Sequence, residues 1–301
     1  MATSVQAQQR TSRNESTGKK SPAGQVVLRI LFYILVAIIL FYTLAPFYWA
    51  LRSSFTGPSE LFATPISYFP HKPTFDNYAK VFESGDFRRA LLNSTIVAGV
   101  VTLFALVFGS LAAYALGRFK FRGRTPVLYL ILAMTMFPQI AILGALYALF
   151  KQFGLYNTLT ALILADLVFT LPFTVWVLSS FFKQMPGALE EAAYVDGATP
   201  FQTFWKVLLP LSAPGMVTTG LLAFIGAWNE FLFAVSFTAT PDKRTVNPAI
   251  LYFAGSTGSS FDIPWGQRMA ATVVVTIPIV VLVLIFQRRI LAGLTAGAVK
   301  G

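Results

Sequence analysis

Six long apolar runs constrain this chain more than any other feature. Residues 27–48, 91–117, 126–149, 159–182, 211–237 and 269–287 are each dominated by Leu, Ile, Val, Phe and Ala. About 20 such residues cross a bilayer as a helix. The expected architecture is therefore an all-α polytopic membrane protein with six transmembrane helices. Composition agrees, since hydrophobic residues make up 55% and charged residues 12% of 301 positions, about half the charged share of a globular domain. Residues 1–25, rich in Ser, Thr, Gln and basic residues, are expected to form a disordered tail. They are too polar, and the following apolar run too long, for a cleavable signal peptide.

Whole classes of chemistry are excluded by what is missing. The chain has no cysteine and a single histidine, His71, so a thiol nucleophile and a Cys-based metal site are ruled out, and a His-based dyad or zinc site nearly so. His71 lies in the proline-bracketed stretch FPHKPTF and reads as a solvated loop residue. No G-x-x-x-x-G-K-[ST] stretch occurs, so the chain has no phosphate cradle and binds no nucleotide cofactor by that route.

Basic residues set the orientation. Arg10, Arg13, Lys19, Lys20 and Arg29 precede or open the first run, and Arg118, Lys120, Arg122 and Arg124 fill one short connection. Arg288, Arg289 and Lys300 follow the last run. The alternate connections hold fewer, with Lys151 in one and Lys243, Arg244 and Arg268 in another. In the long 49–89 segment, Arg52, Lys72, Lys80, Arg88 and Arg89 are balanced by Glu60, Asp76, Glu83 and Asp86. The positive-inside rule then places both termini and the 183–209 loop in the cytoplasm. The net charge of +11 is mostly this asymmetry, so no nucleic-acid partner is expected.

The 183–209 loop carries more chemistry than a linker needs. Pro186 opens a helical stretch with Glu190 and Glu191 near its start, where carboxylates suit the helix dipole. Gly197 then stops it as a C′ residue. Thr199–Pro200 reads as an N-cap followed by Pro at N1. Phe201, Phe204, Trp205 and Leu208 follow at helical spacing. The expected shape is helix, sharp bend, helix, with a small smooth face (Ala192, Ala193), anionic points (Glu190, Glu191, Asp196) and an aromatic ridge. Such a knob suits protein docking. The competing reading is an amphipathic helix on the bilayer, which would favour Lys and Arg where this loop is acidic.

Glu191-Ala192-Ala193, three residues, Gly197, nine residues, then Val207-x-Leu209-Pro210 resembles the EAA motif of ATP-binding-cassette importer permeases. Val207 stands where that pattern prefers Ile. NSTIVA before the second run, MFPQIAILGALYALFKQFGLYNT around the third, WNEFLFA in the fifth and the ending GLTAGAVKG are similar to the carbohydrate-uptake branch, in particular the smaller permease subunit of maltose- or trehalose-type importers. The resemblance implies a permease domain over 26–290 in a bacterial or archaeal plasma membrane, with a cytoplasmic coupling helix between spans four and five and a cytoplasmic tail over 291–301. It implies a non-catalytic subunit that moves a di- or oligosaccharide. Its implied partners are a second homologous permease, a homodimeric ATPase holding ATP-Mg, and an extracytoplasmic sugar-binding protein. The coupling residues it implies are Glu191, Ala192, Ala193 and Gly197. A polyol or glycerol-3-phosphate-like solute is an alternative substrate.

Ionisable residues inside a membrane are costly and so are functional candidates. Asp166 and Glu230 are two of them. Trp228, Asn229 and Glu230 together offer a ring face, an amide and a carboxylate, as a sugar needs, and are expected on the substrate path. Trp228 in the aromatic belt, with Glu230 pairing to a partner subunit, is the competing reading. Asp166 reads as structural. An ion-coupled secondary transporter would need a midplane carboxylate and usually an internal repeat; no clear repeat is present.

Overall fold

The computed structural model describes residues 22–253 and 263–296, with side chains described over 25–253 and 263–288. Residues 1–21 of the expected tail, the stretch 254–262 of the 238–268 connection, and 297–301, with most of the GLTAGAVKG ending, lie outside the described residues. The chain divides into two compact units, Met1–Trp49 and Ala50–Gly301. Among the described residues all regular structure is helical. In chain order the elements are α1 (Pro22–Ser54), α2 (Pro58–Leu61), α3 (Asp76–Glu83), α4 (Gly85–Arg118), α5 (Arg124–Thr135), α6 (Gln139–Gln152), α7 (Leu159–Gln184), α8 (Ala188–Val195), α9 (Pro200–Thr203), α10 (Leu209–Leu211), α11 (Ala213–Trp228), α12 (Leu232–Phe237), α13 (Val246–Leu251) and α14 (Trp265–Ala296). A π-helical turn, Phe204–Leu208, joins α9 to α10.

Four helices are long and apolar enough to cross a bilayer alone: α1, α4, α7 and α14. The other two expected spans are each broken. Run three bends by 91° between α5 and α6, and the Pro200–Leu211 segment, most of it in the 183–209 loop, meets α11 at the entry of run five through a 77° bend. Pro138 is the N-cap of α6; it has no N–H to continue α5, and it biases Phe137 away from helix. Run five also ends early, since α11 stops at Trp228 and α12 is a separate helix. The helical residues 22–25 and 291–296 extend α1 and α14 into stretches expected to be tails.

α4 and α7 form the spine of the second unit. Gly109 and Gly117 allow it, because a Cβ at Gly109 would sit 2.6 Å from Thr174 Cγ2, and one at Gly117 2.9 Å from Phe182 Cβ. Small residues at a helix crossing let backbones approach where lipid gives no hydrophobic drive. Pro172 lies buried within α7, which continues through it.

At the α7 N-terminal end, Phe87, Val97, Val101, Leu162, Trp228, Phe233, Phe237 and Val275 build the largest buried cluster. The connections there are pinned by polar side chains. Asn93 Nδ2 donates to the carbonyls of Asp242 and Arg244 at 2.9 and 2.8 Å, and Ser94 Oγ accepts from Val246 N at 2.9 Å. Asn157, in the left-handed region at φ +60°, accepts from Ala239 N and Thr240 N. Asn77 Nδ2 donates to Ser54 O and Thr56 O, both at 3.0 Å. These bonds satisfy irregular backbone that would otherwise be stranded.

Candidate coupling loop and the intramembrane carboxylates

At the other end of α4 and α7 the loop 183–209 folds back on both helices. Arg118 closes α4 and reaches across it. Its Nη1 donates to Met185 O at 2.8 Å and Phe182 O at 3.3 Å, carbonyls at the end of α7. Its Nε donates to Glu190 Oε2 at 2.8 Å, and Nη2 bonds the same oxygen. The two side chains are 12% and 15% exposed. A guanidinium fork thus meets the negative end of one helix dipole and a carboxylate in the first turn of the next. One side chain bolts α4, α7 and α8 together.

Aromatic packing supplies the second attachment. Phe204 and Leu208 are buried with Ala113, Tyr114, Leu178 and Phe182. The Tyr114 ring lies 5.0 Å from that of Phe204 and 6.0 Å from that of Phe182.

The bend follows local rules read from sequence. Gly197 has φ +80°. Ala198 N donates to Ala193 O at 2.9 Å and Gly197 N to Tyr194 O at 3.0 Å, the paired bonds of a Schellman ending. Thr199 and Gln202 form a reciprocal capping box, with Thr199 N to Gln202 Oε1 at 2.9 Å and Gln202 N to Thr199 Oγ1 at 3.3 Å. Pro200 occupies the first turn of α9. Helix, bend, helix is what the residues build.

The structure sorts the expected docking residues differently from the sequence. Glu190 is turned inward onto Arg118, while Glu191, Ala192 and Asp196 are exposed and Val195 is 87% exposed. Ala193 is buried. The aromatic ridge divides, with Phe204 in the core and Phe201 and Trp205 exposed. Phe201 and Trp205 line an apolar groove of about 460 Å³ with Leu103, Val107 and Leu111 of α4. A pattern of i, i+3, i+4 puts three rings on one face of a regular helix; the π turn that begins at Phe204 changes the residue-to-residue rotation within that stripe. Nothing in the sequence sets Arg118 apart, where it reads as one more basic residue in a charged connection.

The residues Trp228, Asn229 and Glu230 form a helix break. Trp228 is 2% exposed, its ring stacked on Phe224 at 5.6 Å and its Nε1 donating to Val275 O at 3.3 Å. It offers no free face for a sugar. Asn229 Nδ2 donates to Ile225 O within its own helix. Glu230 accepts from Phe233 N at 2.6 Å and Ala234 N at 2.8 Å, so both oxygens serve the first turn of α12. Asn247 Nδ2 donates to Trp228 O and Glu230 O, each at 3.0 Å, closing the break from outside. Glu230 and Asp166 line one cavity of about 200 Å³, with Gln139, Phe169, Thr170, Phe173, Leu222, Ala223, Gly226 and Ala227. Sequence separates Asp166 from Glu230 by 64 residues, and no pattern in either run joins them.

Residues 105–295 match the family described as binding-protein-dependent transport system inner membrane component. The chain is 44% identical to the trehalose transport system permease protein SugB of Mycobacterium tuberculosis, over 89% of this chain and 96% of that one. It is 42% identical to the trehalose/maltose transport system permease protein MalG of Thermococcus litoralis, over 92% and 99%. Identity is 41% to the sulfoquinovosyl glycerol transport system permease protein SmoH of Agrobacterium fabrum, over 89% and 93%. The fold is similar to that of a chain in the crystal structure of a bacterial transporter that imports the acidic polysaccharide alginate, with a TM-score of 0.76, 20% identity, and 89% and 98% of the two chains covered. A family match over residues 105–295 that includes the 183–209 loop, Asp166 and Glu230, with relatives above 40% identity along nearly the whole chain, leaves one assignment: the protein belongs to the binding-protein-dependent transport system inner membrane components.

Proposed function

We propose that this chain is the permease subunit of an ATP-driven importer that carries a di- or oligosaccharide across the inner membrane. The relatives at 41–44% identity are named as permeases for trehalose, maltose or a sulfoquinovosyl glycerol. The observation that carries the reading is the form of the 183–209 loop. Its exposed tip, Glu191, Ala192, Val195 and Asp196, is joined rigidly to both spine helices through Glu190, Arg118 and Phe204. A tip so held passes a push from a docked partner to α4 and α7 with little slack, because packed elements move as bodies.

In this reading Glu191, Ala192, Asp196 and Gly197 meet a homodimeric ATPase that holds ATP-Mg, and Glu190, Ala193 and Phe204 hold the tip in place. A second, homologous permease completes the pathway, and an extracytoplasmic binding protein delivers the sugar. Both termini face the cytoplasm. The chain hydrolyses nothing itself.

The test is reconstitution of the complex in proteoliposomes with the binding protein outside and ATP within. Uptake of trehalose or maltose should require ATP and persist when ion gradients are collapsed. Uptake driven by a proton or sodium gradient without ATP would refute the proposal. Reporter fusions within 183–209 should report inside and those within 238–268 outside; an outside signal from 183–209 would remove the coupling role with it.

A further inference from the structure

One ionisable group inside the spans is not used by the scaffold. Asp166 is the eighth residue of α7, about 10 Å from the Leu159 end. It is 5% exposed, and its Oδ2 is buried without a hydrogen-bond partner. Polar atoms in protein interiors are nearly always paired, so an unpaired one asks for a cause. Its neighbour on the same cavity shows the contrast. Both oxygens of Glu230 are taken by backbone amides of α12. Glu230 holds the helix break, and Asp166 is left over.

The cavity around Asp166 has the character of a sugar site. Its volume of about 200 Å³ exceeds what one water needs by on the order of tenfold. Phe169 and Phe173 supply ring surface for the C–H faces of a pyranose, and Gln139 supplies an amide. Gly226 keeps one wall open, since a Cβ there would meet nothing within 4 Å. A carboxyl group keeps acceptor lone pairs in either protonation state and can take a donor such as a hydroxyl.

We propose that Asp166 accepts a hydrogen bond from a hydroxyl of the sugar in transit, in a site between α7, α11 and the start of α6 that Gln139 and Phe173 complete. This rests on the reading of the chain as a sugar permease. It moves the expected sugar contact from Trp228 and Glu230 to Asp166.

The experiment uses the whole reconstituted complex and whichever of trehalose or maltose it accumulates, together with the mono-deoxy analogues of that sugar. Wild type should transport one analogue poorly. Asp166→Ala should raise KM for the parent sugar about two- to tenfold, the span of a lost hydrogen bond. It should also transport that one analogue as well as the parent. Asp166→Asn, which keeps an acceptor, should retain most of the discrimination. A structural role would instead lower the amount of complex or kcat equally for all the sugars. An unchanged ranking of analogues in Asp166→Ala overturns the proposal. Should that variant fail to accumulate in the membrane, Asp166→Leu, which is close in shape and carries no acceptor, decides by the same ranking. Gly226→Leu should block uptake by filling the cavity, and normal uptake in that variant would equally refute the site. If wild type accumulates neither disaccharide with ATP, the sugar-permease reading fails; wild-type uptake with unchanged rankings refutes Asp166 alone.

Discussion

Removing the Arg118 guanidinium should unfasten the 183–209 loop without unfolding the spans. Arg118→Ala deletes the bonds to Met185 O at 2.8 Å and Phe182 O at 3.3 Å, and both contacts to Glu190. With the pair only 12% and 15% exposed, stranding the Glu190 carboxylate costs more than losing the two carbonyl bonds. Breaking a buried pair from one side costs about 3–5 kcal/mol; the site borders solvent, so we expect the lower end, about 3 kcal/mol. That penalty falls on the docking of α8 against α7, because α4 and α7 remain packed through Gly109 and Gly117. A local opening made about 3 kcal/mol easier is on the order of 150-fold more populated. The complex should therefore assemble and still hydrolyse ATP, while binding-protein-stimulated hydrolysis and uptake fall by more than tenfold. Glu190→Gln alone should be milder, since an amide can still accept from the fork. The double variant Arg118→Ala, Glu190→Gln should recover part of the loss, because no charge is stranded. The measurements are stimulated ATPase, uptake, and hydrogen exchange over 186–196. Full stimulation in Arg118→Ala, or strictly additive losses in the double variant, would refute the reasoning.

Three further outcomes follow from the same structure. Gly197→Val should uncouple transport more severely than Gly197→Asn, at about 1–3 kcal/mol of backbone strain; a Cβ at Gly197 meets nothing within 4 Å, so equal effects of both would show that φ +80° is not what matters. Trp228→Ala should lower thermal stability in detergent by an amount typical of a large core deletion, about 3–5 kcal/mol, because the ring is buried against Phe224; a raised KM with unchanged stability would return it to the substrate path. Hydrogen bonds from the His71 backbone N–H and imidazole hold the Glu60 carboxyl below its ordinary value. A depressed carboxyl stabilises above its unfolded pKa and loses that contribution as pH falls through the folded value. Protection of the His71 amide, its exchange rate relative to an unstructured amide at the same pH, should thus hold at pH 5–7 and fall only as the carboxyl protonates below its ordinary range; protection lost already near pH 6 would contradict this.

Much of this protein was settled by local chemistry. Apolar length alone specified a helical membrane chain, because unpaired backbone in hydrocarbon is prohibitively costly. Gly197, Thr199, Pro200 and Gln202 specified the bend of the coupling loop, since capping bonds span only a few residues. The apolar runs did not reveal their own breaks. A 91° bend at Met136–Pro138 leaves composition unchanged, so a hydropathy window reads across it. Nor could local chemistry show that Glu190 turns inward beside an exposed Glu191, because the Arg118 that claims it lies 72 residues away. The covered ring of Trp228 and the unpaired Oδ2 of Asp166 were beyond the sequence for the same reason. Whether a ring is covered or a carboxylate oxygen is paired depends on Phe224, Val275 and the α12 amides, and only tertiary packing brings those groups to the sites where they act.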